Sequence, residues 1–190
     1  EVALRCNLIS LEGDDDDPRI KNHSSGHITT EEARELIAAV DQSLGGGRGE
    51  QPARFHAGIS YRHLTVLPGG WASPDVDCSP PHDNVGGRVA DLLPVARGDA
   101  EPAAAATAAR LRDLIARSRP LLAAHPVNAA RRAAGQDTAD SDDVAYGCCG
   151  QALTRFTSRP LAGPGRLSSP PPLHVRPHLS EVRQRGTLMA

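Results

Sequence analysis

Four short stretches of this chain, residues 5–7, 24–27, 61–63 and 77–83, concentrate Arg, His, Asp and Asn without an obvious packing role. The guanidinium of Arg presents a fork of donors suited to phosphate and carboxylate, and His and Asn orient hydroxyls. Together they read as an anion pocket built from Arg5, Asn7, His27, Arg62, His63, Asp77, His82 and Asp83. Asn128 and Arg131 are secondary candidates, because a helical capping or surface role explains them equally well. Each primary candidate also has a plainer role. Arg5 could be a water-facing strand residue, and His27 part of the cap of the following helix. Arg62 and His63 could be cross-strand partners of an acidic hairpin, and His82 with Asp83 could serve only their own turn. No phosphate-binding Walker loop, GxGxxG, GxSxG or HExxH is present. Ser79, His82 and Asp83 cannot be named a triad, which is defined by geometry. The residues alone therefore reach a binder of phosphate or carboxylate.

The elements that must position these groups follow from periodicity. Val2, Leu4, Cys6 and Leu8 alternate with Ala3, Arg5, Asn7 and Ile9, which predicts a strand with Arg5 and Asn7 on one face. Residues 13–18, with four consecutive aspartates, predict a turn, and residues 19–23 resume an extended pattern, so a hairpin is expected. Its acids read as a solvated tip, since the spacing of a calcium loop is missing. Thr29 followed by Glu32 is a capping box. Ala33, Leu36, Ile37, Val40 and Leu44 then recur at helical spacing, and Gly45, Gly46 and Gly47 stop the helix. The small residues before it put exposed amides where an anion would be stabilised.

Residues 54–60 and 61–67 read as strands, with Leu64 and Val66 alternating with His63 and Thr65. A long irregular loop is expected over 72–87 and a helix over about 102–118, with Pro120 and Pro126 dividing the remainder into short helical pieces ending near Gly135. The fold class expected is α/β: a two-layer unit, a small sheet with helices packed on it, followed by an irregular C-terminal tail.

The chain has 190 residues and a formal charge of −2, which hides an asymmetry. Residues 1–143 hold 22 acids against 15 bases, net −7, and the rest hold 1 acid against 6 bases, net +5. Lys21 is the only lysine, and the arginines are not clustered with aromatics, so no nucleic-acid footprint is read. Cys6, Cys78, Cys148 and Cys149 form no CxxC pair, which argues against a structural zinc and for reduced, cytoplasmic thiols. No apolar run is long enough to span a bilayer and no leader pattern is present, so no membrane partner is expected. The chain opens in mid-strand at Glu1, from which a missing upstream segment is expected.

The strings ALRCNLIS (3–10), IKNHSSGHITTEEARELIAAV (20–40), GISYRHLTVLPGG (58–70) and DVDCSPPHD (75–83) resemble the archaeal-type, 2,3-bisphosphoglycerate-independent phosphoglycerate mutases. RSRPLLAAHPVNAARRAAGQDTA (117–139) extends the resemblance to about residue 140. It implies a metal-bearing domain of the alkaline phosphatase superfamily, interrupted by an inserted α/β domain that this chain matches over residues 1–140. It implies a Ser nucleophile and two divalent ions, manganese, magnesium or zinc, whose ligands are not in this chain, and no 2,3-bisphosphoglycerate. The insertion would grip phosphoglycerate, arginines on phosphate and carboxylate, His and Asp on hydroxyls and proton traffic, and would be inactive alone. A phosphotransferase of the same group acting on homoserine, and a non-catalytic remnant, are the alternatives. Beyond Ala139 the resemblance implies a Trp-containing stretch, whereas this chain turns to Pro and Arg. A shifted reading frame and a disordered or aberrant tail over 141–190 are the expectation there.

Overall fold

A computed structural model describes residues 1–45, 51–98 and 101–143. Gly46, Gly47, Cys148, Cys149 and the expected character of the tail beyond residue 143 lie outside the described residues.

Strand β1 (Val2–Glu12) and strand β2 (Arg19–Asn22) form the expected antiparallel hairpin, with a register shift between Ser10 and Leu11. Gly13, at φ +91°, makes the turn that L side chains rarely adopt. Helix α1 (Thr30–Leu44) begins with a complete capping box: Glu32 N donates to Thr29 Oγ1 at 3.2 Å, and Thr29 N donates to Glu32 Oε2 at 3.0 Å. Its five predicted apolar positions are all buried.

Strands β3 (Arg54–His56) and β4 (Arg62–Leu67) follow. The expected irregular loop after them contains strand β5 (Val76–Asp77) and a 3-10 turn over Pro81–Asp83, then the short helix α2 (Val89–Leu92) and strand β6 (Val95–Ala96), which pairs with β5. The loop is ordered because its backbone is knitted to β2: Ile20 N donates to Gly87 O at 3.0 Å and Gly86 N to Ile20 O at 2.8 Å. Pairing with a distant strand leaves no periodic signature in the sequence.

Helix α3 (Pro102–Ala123) runs through Pro120, where a break was expected. Proline removes one amide donor and crowds the preceding turn, but Pro120 sits on the exposed side while Ser118 and Leu122 on either flank are fully buried, so packing carries the helix one turn further. Pro126 does divide the chain. It opens helix α4 (Pro126–Ala133), where a missing amide is harmless, and His125 Nδ1 caps it by accepting from Val127 N at 3.2 Å. Strand β7 (Ser141–Asp143) pairs antiparallel with β1.

The main sheet has the order β2–β1–β4–β3, with β7 also on β1. Val2, Leu4, Cys6 and Leu8 of β1 share one apolar cluster with the stripe of α1 and with Ala108, Leu111, Leu114, Ile115 and Leu122 of α3. The expected two-layer α/β arrangement is what the chain forms. Burying a Leu or Ile side chain stabilises by about 1.5–3 kcal/mol, so this layer contact holds the sheet that positions the candidate site. In β4 the inward residues are His63, Thr65 and Leu67, while Leu64 is 42% exposed. The register Cys6↔His63 and Leu4↔Thr65 fixes that choice, overriding the apolarity of Leu64 and Val66.

Candidate functional site

Cross-strand partners share a face of the sheet, so β1 and β4 sort the candidates between them. Asn7 pairs with Arg62 and Arg5 with Leu64, which sets Arg5, Asn7 and Arg62 on the face away from α1 and α3. Arg5 Nε donates to Asn7 Oδ1 at 3.3 Å. His63 points the other way, into the helix-covered layer. Its Nδ1 accepts from Gly58 N at 3.1 Å, its Nε2 is buried without a hydrogen-bond partner, and burial pushes its pKa down to about 4. Arg62 and His63 are chain neighbours with no shared surface.

At the end of β2, His23 gathers the others. Its ring meets Tyr61 edge-on at 5.7 Å and His82 at 6.5 Å between centroids. The Arg62 guanidinium lies over the same Tyr61 ring, 4.6 Å from its centroid, within the range of a cation–π contact. His82 Nε2 is 3.6 Å from Asp83 Oδ1. Burial lowers the pKa of His23, and the nearby His82, His27 and Arg62 lower it further. Groups from two distant segments, and from the adjoining turn, therefore act on one imidazole. His23 itself was not among the residues singled out from sequence. Its only signal there was its place beside His27 in the string KNHSSGH.

The turn carrying His27 is strained. Ser25, Gly26 and His27 have φ of +48°, +61° and +57°, and left-handed backbone at a non-glycine residue costs of order 1–3 kcal/mol. At Gly26 a Cβ would come within 3.0 Å of Asp137 Cβ, so space as well as φ favours glycine there. Ser24 holds the turn from inside: its hydroxyl donates to Asn22 Oδ1 at 2.9 Å and accepts from His27 N at 3.3 Å. The helix cap is Thr29, not His27, and the imidazole of His27 is exposed. The amides expected to stand open for an anion are largely engaged within the chain. Those of Ser24, His27, Ile28, Thr29, Glu32 and Ala33 all have internal acceptors. An anion near this turn would thus meet side chains rather than helix amides.

The remaining candidates lie elsewhere. The Asp77 carboxylate accepts from Arg97 Nε at 2.8 Å, within the small β5–β6 ribbon. Nor do the hairpin acids take Arg62: Asp17 pairs with Arg88 at 2.8 Å and Asp15 lies 4.0 Å from Arg119. Asn128 and Arg131, for which a capping or surface role was an alternative, are 0% and 4% exposed. Asn128 Nδ2 donates to the carbonyls of Leu122 and Ala139, at 2.9 and 2.7 Å, and Asn128 Oδ1 accepts from Ala139 N at 2.9 Å. Burial inside the fold is a tertiary property that a polar residue on a short helix does not advertise.

A helix-covered antiparallel sheet with an imidazole and a guanidinium gathered around one aromatic ring defines a two-layer α/β domain with a cluster of imidazoles and one arginine. A family model described as 2,3-bisphosphoglycerate-independent phosphoglycerate mutase matches residues 1–128. The chain is 38% identical over 142 residues to the protein of that name from Methanosarcina barkeri, an alignment covering 74% of this chain and 31% of the relative. It is 40% identical over 141 residues to the Methanosarcina acetivorans protein of that name, with the same coverage. In fold it is similar to the cofactor-independent phosphoglycerate mutase of Thermoplasma acidophilum, with a TM-score of 0.59 at 22% identity over 74% of this chain and 35% of that one. The chain belongs to the 2,3-bisphosphoglycerate-independent phosphoglycerate mutase family, and it spans about a third of the length of the curated relatives it matches.

Proposed function

We propose that this chain is the substrate-holding part of a cofactor-independent phosphoglycerate mutase, an isomerase that interconverts 3-phosphoglycerate and 2-phosphoglycerate. Residues 1–140 are read as its inserted domain, with β7 continuing the sheet. The observation that carries this reading is the meeting of Arg62, His23, His27 and His82, brought from three segments to one place. A phosphorylated hydroxy acid carries two anionic groups and a hydroxyl. Arg62 and Arg5 have the donor geometry for phosphate and carboxylate, and the imidazoles for the hydroxyl and the proton it exchanges. Asn7 orients Arg5 through their hydrogen bond. Asp83 beside His82 orients that imidazole, whereas Asp77 and His63 act on the scaffold.

Among the described residues no three His, Cys, Asp or Glu side chains are grouped as metal ligands would be. The divalent manganese, magnesium or zinc ions implied by the family resemblance do not fit here, and no step is derived through them. No described helix is long and apolar enough to cross a membrane; a small-molecule partner in the cytoplasm is the reading that goes with a glycolytic isomerase. Calorimetric titration of the chain with 3-phosphoglycerate tests the proposal. Binding that Arg62→Ala weakens supports it, and a parent chain that shows no heat of binding at millimolar ligand rejects it.

A further inference from the structure

The cluster depends on a turn that the chain does not adopt for free, and one buried side chain holds that turn from behind. Arg131 of α4 is 4% exposed and spends its guanidinium on three separate elements. Its Nη2 donates to Ser25 O at 2.8 Å, inside the left-handed turn. Its Nη1 donates to Glu32 Oε2 at 2.8 Å, in the first turn of α1, and its Nε donates to Asp137 O at 2.7 Å. Asp137 completes the frame: its carboxylate accepts from Asn22 Nδ2 at 3.0 Å and pairs with Lys21 Nζ at 2.7 Å. His23 and His27 are thus fixed on both sides, through Asn22 before them and Ser25 between them.

We propose that Arg131 is a positioning residue of the phosphoglycerate site: it clamps the turn over residues 24–27 so that His23 meets Tyr61 and His82 with His27 beside it, without touching ligand itself. The inference rests on the functional reading above for the ligand and on the hydrogen bonds for the clamp. A lysine in its place keeps a charge but not the planar fork, and a single ammonium cannot reach three acceptors that diverge from a guanidinium plane. Ser25 O would then be left buried without its donor, and the turn would relax toward ordinary φ. Misplacing a positioned group by about 1 Å can cost up to about 100-fold.

Histidine side-chain NMR of the full chain, with and without 3-phosphoglycerate, tests this in Arg131→Lys, in Glu32→Gln and in Leu122→Ala, a core cavity that lowers stability without touching the clamp. Arg131→Lys is expected to move the His23 and His27 imidazole resonances and to weaken 3-phosphoglycerate binding about tenfold. Leu122→Ala is expected to do neither despite its lower unfolding midpoint. Resonances in Arg131→Lys that coincide with the parent overturn the proposal, as does Leu122→Ala moving them equally. If Arg131→Lys does not fold, Glu32→Gln decides in the same way, since it removes the charge facing Nη1 and keeps a cap acceptor for Thr29 N. A parent chain that ignores 3-phosphoglycerate sinks the functional reading, and with it the purpose of the clamp; the resonance comparison still reports separately whether Arg131 sets the turn.

Discussion

Arg62 and His63 are neighbours on one strand, and the pleat sends them to opposite sides of the sheet. On the covered side, His63 is packed against Cys6 and the helices, neutral, with one ring nitrogen unpartnered. On the open side, Arg62 lies over Tyr61 and acts on His23. The contrast separates two settings for polar side chains: His63 is enclosed in the core layer, and Arg62 is exposed where a ligand could reach it. Concavity alone does not mark the binding side. A groove of about 640 Å³ lies by the hairpin tip and the end of α3, but Glu12, Asp14, Asp15 and Asp140 line it against Arg119, a charge balance that repels a phosphorylated acid.

The largest expected effect belongs to the covered face. An unfolded His takes up its proton near pH 6.5, whereas folded His63 does so only near pH 4. Between these values the unfolded chain binds more protons, so stability is full above about pH 6.5 and falls as the pH drops toward 4. The shift corresponds to roughly 3 kcal/mol. Urea unfolding at a series of pH values should show this loss, and His63→Gln should flatten it; a slope unchanged in the variant would assign the loss to other groups. Glu32 and Asp137 add a separate loss at lower pH. Burial opposes ionisation of Glu32, but the Thr29 amide and hydroxyl and Arg131 outweigh it, and the Lys21 ammonium holds Asp137 below the usual carboxylate range.

On the open face, Arg62→Ala should lower 3-phosphoglycerate affinity by about 10- to 100-fold, or about 1.4–3 kcal/mol. It should shift stability by less than about 1 kcal/mol, the scale of an exposed cation–π contact. Equal losses of binding and stability would erase the division between faces. A smaller effect is expected at Thr29→Ala, which removes one half of the capping box and should destabilise by about 1 kcal/mol in urea, with a smaller change in affinity than Arg62→Ala. Asp15→Asn, in the acidic groove, should leave 3-phosphoglycerate affinity within about twofold. A marked gain there would mean that the groove competes for the ligand.

What was legible in the sequence was whatever is local. The capping box and stripe of α1 lie within a single run, and the β1–β2 hairpin is written in alternation plus one acidic turn. The placement of Arg5 and Asn7 on one face followed from β1 alternation, whereas that of Arg62 beside them needed the β1–β4 register. His23 was missed because its meaning comes from Tyr61 and His82, which reach it only through tertiary pairing. Arg131 was only a secondary candidate for the same kind of reason, since its three acceptors lie in α1, in the turn and after α4. Passage of α3 through Pro120 was unreadable for a related reason, since the flanking buried Ser118 and Leu122 outweigh a local rule.

The central claim is that imidazoles of the open cluster, and not the buried one, sense a phosphorylated acid. Histidine side-chain spectra recorded through a 3-phosphoglycerate titration test it directly. The His23, His27 and His82 resonances should move together with one saturation curve while His63 stays fixed. Movement confined to His63, or none at the cluster, would contradict the account.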